Sequence, residues 1–182
     1  LMETYEVMKT TFAARSFTDR VVSNETLYRI LDHARFAPSG GNRQGWKVLV
    51  IDEPAVRTAL QNIMAPTIQA YKAMAMAGET PFNPISPSAV TQSSIDATSP
   101  DMPFTGQLTE APVVLVITVD LKLVTAFDKD LERVGVIAGA SIYPFVWNIL
   151  LAARNEGLGG VLTTFLSHKE PDAKLLLGIP KD

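Results

Sequence analysis

The residues best suited to chemistry lie in one short run, Pro38-Ser39-Gly40-Gly41-Asn42-Arg43-Gln44-Gly45-Trp46. Two adjacent glycines let the backbone approach a ligand closely. Ser39, Asn42 and Gln44 bring hydroxyl and amide groups that donate and accept at once. Such groups suit a flat heterocycle with both kinds of edge, and they equally suit an ordinary helix-to-strand loop. Arg15, just before Phe17, carries the planar fork that matches a phosphate. A lone arginine is more often a solvent-facing residue.

Other chemistries are excluded by what is missing. There is no cysteine and there are only two histidines, His33 and His168, so disulfides, thiolate nucleophiles and Cys-ligated metals are absent. His33 reads as an exposed helix residue and His168 as a helix entry. The carboxylate pairs Asp128/Asp130 and Asp130/Glu132 sit two residues apart and diverge on a helix, so they read as a charged surface turn. Gly157-Leu158-Gly159-Gly160 follows a helix and leads into a strand, the reverse of a dinucleotide-binding turn. With 16 basic and 19 acidic residues the net charge is −3, which leaves no basic field for nucleic acid. A chain so short of reactive side chains is expected to borrow a cofactor, with no catalytic side chain and no metal of its own.

The elements that must position these residues follow from periodicity and breakers. A helix is expected over Met2–Phe12, with Tyr5, Met8 and Phe12 at helical spacing. A second, capped by Ser23 or Asn24, places Leu27, Ile30, Leu31 and Ala34 on one face. Trp46–Ile51 and Pro112–Asp120 read as buried strands, and Gly160–Phe165 as a third. Asp52, Glu53 and Pro54 open a third helix carrying Val56, Leu60 and Ile63, and residues from Pro66 to Gly78 have helical composition. Five of the twelve prolines fall between Pro81 and Pro103, so 81–108 reads as a variable loop or lid. A last short helix is expected over Lys169–Leu177. The 20 uncharged residues Val134–Ala153 have the length of a membrane span. Gly135, Gly139, Ser141, Pro144 and Asn148 argue instead for a helix buried on all sides, running from about Leu131 to Asn155 and stopped by Gly157. In a single domain of 182 residues such a helix points to a dimer interface. No secretion signal is legible at Leu1–Thr10, and a cytoplasmic, membrane-free chain of mixed helices and strands is expected.

At these residues a resemblance emerges. Tyr28–Trp46 resembles the FMN-dependent nitroreductase family, whose APS-x-x-N-x-Q-x-W loop is matched by Ala37, Pro38, Ser39, Asn42, Gln44 and Trp46. Arg15-Ser16-Phe17, followed by Val22 and Glu25, is similar to the family's opening. Asn148–Arg154 with Gly157-Leu158-Gly159 and Thr163-Thr164 is similar to its N-x-L-L-A-A…G-L-G tract. The three blocks are in the family's order and span most of the chain.

The resemblance implies an α+β, three-layer fold, a central mixed sheet flanked by helices, in an interlocked homodimer with FMN at the interface. It implies that Arg15 meets the FMN phosphate, that Pro38, Ser39, Gly40, Asn42 and Gln44 line the flavin and ribityl chain, and that Thr163 and Thr164 lie near the ring's reactive edge. The expected activity is hydride transfer from NAD(P)H through FMN to a small nitroaromatic, quinone or enone-like acceptor. The alternative is a relative that binds or sequesters FMN without turnover. Of the family's R-R-S-x-R opening only Arg15 is present, and the chain ending at Asp182 is expected to lack the family's last strand and arm.

Overall fold

The computed structural model describes residues 2–101 and 108–180. Its helices are α1 (Thr4–Thr10), α2 (Asn24–Ala34), α3 (Pro54–Met76), α4 (Gln92–Asp96), α5 (Tyr143–Asn155) and α6 (Glu170–Leu177). Its strands are β1 (Trp46–Val50) and β2 (Leu115–Val119). This is the expected α+β class. The chain divides into two compact units, one built from residues up to 51 with 110–162, the other from residues after 51 up to 109 with 163–180.

In the first unit β1 and β2 pair antiparallel, with Trp46 opposite Val119, Val48 opposite Ile117 and Val50 opposite Leu115. Alternation along a strand puts Trp46, Val48, Leu115 and Ile117 on one face. Over that face pack Ile30 and Ala34 of α2 with Phe145, Val146 and Ile149 of α5. The Trp46 and Phe145 rings stack at 4.6 Å, 5° from parallel. Ser23 caps α2 as expected, its Oγ accepting from the Thr26 amide at 3.1 Å. A fork from Arg29 to Glu156, with contacts of 3.2 and 2.7 Å, ties α2 to the end of α5. That bond holds the Glu156 carboxyl below its usual range and the Arg29 guanidinium above its own.

Several expectations are corrected. The apolar stripe of α1 is not buried: Tyr5 and Met8 are exposed, as is Phe12 beyond the helix, and Val7 faces the core. The helix expected from about Leu131 begins only at Tyr143, after a 3-10 turn over Ile137–Ser141. Two glycines and a serine weaken the helix there, and the Asp128 carboxylate captures the amides of Val136 and Ile137. Its end is as expected, with Gly157 at φ +77° and the Leu158 amide returning to Ala153 at 2.9 Å. Gly160–Phe165 forms no strand. Gly160 makes a single parallel bridge to Ala13, and the backbone turns at Thr164 into a 3-10 segment, Phe165–Lys169.

In the second unit the two helical stretches around Pro66 are one continuous α3. Proline deprives only the Asn62 carbonyl of its partner, while Leu60, Met64 and Ile68, four apart, bury one face through both halves. Tyr71 meets Phe165 edge-on at 5.2 Å. The Pro-rich segment is tied to α3: Gln69 donates to the Thr98 carbonyl at 2.8 Å and Lys72 to that of Asp101 at 3.1 Å. The part of the expected 81–108 lid at 102–107 lies outside the described residues. Among the described residues no helix is long and apolar enough to cross a membrane.

Candidate functional site

The loop between α2 and β1 takes its shape from local sequence. α2 ends at Ala34 with Arg35 as its C-cap, Ala37 is buried just beyond it, Pro38 bars the helix from resuming, and Gly40–Asn42 make one 3-10 turn. Three residues have left-handed backbone: Gly41 at φ +61°, Asn42 at +52° and Gln44 at +50°. Glycine and asparagine tolerate this region, but glutamine does so only when the surroundings hold it there. Here Ser39 Oγ accepts from the Gln44 amide at 2.9 Å. The Gln44 side-chain amide donates to the Arg35 carbonyl and to Asn42 Oδ1, both at 3.3 Å. The exit is fixed by buried Gly45, whose carbonyl accepts from the Asp120 amide at 2.9 Å.

These bonds leave a specific remainder. Among the described residues the Ser39 hydroxyl proton, the Asn42 amide hydrogens and Gln44 Oε1 are uncommitted. The loop therefore offers both donors and an acceptor on a backbone that its own side chains hold in a strained shape. Pro38, Asn42 and Gln44 are exposed, and Ser39 and Gly40 half-buried. Beneath Gly40 lie two hydroxyls that the sequence did not suggest: a side chain begun at Gly40 would sit 3.4 Å from Thr125 Oγ1 and 3.6 Å from Ser141 Oγ. No short-range signal could have found them, because they lie 85 and 101 residues away.

Arg15 belongs to the same unit and is exposed. Among the described residues its side chain makes no hydrogen bond or ion pair. Thr163 and Thr164 belong to the second unit, where the Thr163 hydroxyl accepts from the Phe165 amide at 3.5 Å and the Thr164 carbonyl from Ser167 at 2.6 Å. The first unit thus carries Arg15 and the whole 38–44 loop, and the two threonines open the return segment of the second.

Asp128 corrects the surface-turn reading: it is 4% exposed. Its Oδ2 accepts from the Val136 amide at 2.7 Å, from Arg133 at 2.8 Å and from the Ile137 amide at 3.3 Å. Those bonds, the Val136 amide foremost, lower its pKa to about 2. The clamp shapes the segment leading into α5. There an apolar cavity of about 650 Å³ is lined by Gly135, Val136, Gly139, Ala140, Tyr143, Pro144 and Trp147. Tyr143 and Trp147 remain about half exposed. No group of His, Asp and Glu among the described residues is arranged to hold a metal ion.

A sequence model of the nitroreductase family matches residues 9–182. A nitrobenzene nitroreductase from Ectopseudomonas oleovorans is 28% identical over 191 residues, covering 93% of this chain and 77% of that protein. In fold, the chain is similar to oxidised iodotyrosine deiodinase crystallised with FMN and 3-iodo-L-tyrosine, with a TM-score of 0.65 at 20% identity, over 98% of this chain and 83% of that one. It is also similar to a nitroreductase with bound FMN from Desulfitobacterium hafniense DCB-2, with a TM-score of 0.60 at 23% identity, over 100% and 84% of the two chains.

Proposed function

Because the chain belongs to the nitroreductase family, we propose that it is an FMN-dependent oxidoreductase. In this reading it takes hydride from NAD(P)H and passes reducing equivalents to a small nitroaromatic, quinone or enone-like acceptor. The observation that carries the reading is the 38–44 loop. Its uncommitted donors at Ser39 and Asn42 and its uncommitted acceptor at Gln44 Oε1 fit a flavin, whose ring edge also mixes donor and acceptor. When bound, FMN supplies the acceptance and release of electrons that no side chain here can perform.

The work left to the polypeptide is binding and orientation. Residues 38–46 contain no imidazole, thiol or carboxylate, so the loop holds no proton-transfer group and acts through hydrogen bonds and backbone approach. Pro38, Ser39, Gly40, Asn42 and Gln44 are assigned to the flavin and ribityl chain, and Arg15 to the phosphate. Thr163 and Thr164 are assigned to the ring. The second copy of a homodimer is assigned to the apolar cavity at Gly135–Trp147, whose lining carries no charge and whose half-exposed Tyr143 and Trp147 present together about 200 Å². The protein is assigned to the cytoplasm.

The test is steady-state oxidation of NADH and NADPH by FMN-saturated protein, with a nitroaromatic and a quinone as acceptors. Acceptor-dependent oxidation supports the reading. FMN binding without turnover on any acceptor class would replace it with flavin sequestration.

A further inference from the structure

Most arginines of the first unit whose contacts are defined are neutralised. Arg29 pairs with Glu25 and Glu156, Arg35 with Asp32 and Arg133 with Asp128, at 2.7–3.2 Å. Two have a threonine hydroxyl instead: Arg154, whose Nε donates to Thr10 Oγ1 at 2.9 Å, and Arg43, which of the two lies inside the candidate loop. Arg43 Nη1 donates to the Thr125 hydroxyl at 2.9 Å, a neutral partner, and among the described residues no carboxylate pairs with it. Nor does its guanidinium extend freely into solvent. It folds back over the loop, so that a side chain begun at Gly41 would lie 3.5 Å from its Cζ and 3.7 Å from Nε and Nη1. A cation held against the backbone of a polar loop, in a chain of net charge −3, has its charge unanswered.

The neighbouring groups are donors too. Thr125 Oγ1 accepts from Arg43 and keeps its own proton to give. Ser39 Oγ accepts from the Gln44 amide and does the same. Arg43 retains Nε–H and Nη2–H, two adjacent donors of a planar fork, the geometry that matches two oxygens of one anion. Resting on the flavin reading above, we propose that Arg43 is an anion-binding residue of this site and receives a phosphate monoester. Two participants in the proposed reaction carry that group: the 5′-phosphate of FMN and the 2′-phosphate of NADPH.

The experiment compares wild type, Arg43→Ala and Arg43→Lys with ligand pairs that differ only in the phosphate. Affinities for FMN and riboflavin are measured by quenching of flavin fluorescence, and KM values for NADPH and NADH by steady-state kinetics. A charge-assisted fork makes a difference of roughly 10–100-fold. If the group is the cofactor's, Arg43→Ala weakens FMN by that factor and leaves riboflavin within twofold, and Arg43→Lys restores part of the loss. If it is the donor's, the FMN-to-riboflavin ratio is unchanged and the NADPH KM alone rises. Wild type that binds FMN, with both ratios unaltered in Arg43→Ala, overturns the inference and leaves the flavin reading intact. Wild type that binds neither flavin overturns both.

Discussion

Gly40 and Gly41 are adjacent, chemically identical and in different conformations, which allows a controlled test of the loop. Gly41 sits at φ +61°, and placing an L-residue in that region costs about 1–2 kcal/mol. The added methyl itself is not the problem, since its nearest neighbour would be Arg43 Cζ at an ordinary 3.5 Å. Gly40 has no such backbone constraint, and its methyl would meet Thr125 Oγ1 at 3.4 Å and Ser141 Oγ at 3.6 Å, both ordinary contacts. Gly41→Ala should therefore lower the ratio of folded to unfolded protein about 5–30-fold, and Gly40→Ala should change stability by less than about 0.5 kcal/mol. The assay pairs urea unfolding, which reads the stability cost directly, with FMN titration by fluorescence, which reads the loop. In Gly41→Ala the cost is read as about 1–2 kcal/mol of stability where the loop keeps its shape, and as FMN binding weakened up to about 5–30-fold where the loop relaxes out of it. Equal stability and equal FMN affinity of the two variants would refute the left-handed geometry at Gly41.

Three further outcomes follow from the packing and the charges. Phe145 is 2% exposed and stacked on Trp46, so Phe145→Ala should cost about 3–5 kcal/mol in urea unfolding; a loss below about 1 kcal/mol would mean the α5-on-sheet core is misassigned. Asp128 has its folded pKa lowered to about 2, so its ionised form stabilises the fold fully above its unfolded value near 4 and that contribution disappears as pH falls towards 2. The urea midpoint of wild type should therefore drop between pH 4 and pH 2 more steeply than that of Asp128→Asn, and parallel curves would contradict the clamp. Trp147→Glu, at the apolar cavity, should convert a dimer to monomer by light scattering; a dimer of unchanged mass would place the interface elsewhere.

The parts of this molecule governed by neighbours in sequence were legible from sequence. Ser23 caps α2 because the amide its Oγ accepts from, that of Thr26, lies only three residues on, Gly157 ends α5 because its φ is positive, and the Pro38–Gly45 breakers make a loop whatever surrounds them. What could not be read depends on distant residues. The start of α5 is delayed because Asp128 takes the Val136 and Ile137 amides, and no periodicity records a carboxylate arriving from another turn. Pro66 fails to break α3 because Leu60, Met64 and Ile68 bury one continuous face. Gly160–Phe165 has strand composition yet among the described residues finds a single bridging partner, Ala13, and Phe165 packs against Tyr71 of the second unit. In the loop itself the residue types were evident, whereas Thr125 and Ser141 beneath Gly40, and the folding of Arg43 over Gly41, required three dimensions.

Whether this polypeptide is a flavin protein is read from its visible absorption spectrum. Purified protein is mixed with excess FMN, desalted, and its spectrum recorded before and after denaturation, with the released flavin counted against protein. The expected result is a yellow protein that carries close to one FMN per chain and releases it on unfolding. A colourless protein that retains no FMN after saturation would contradict it.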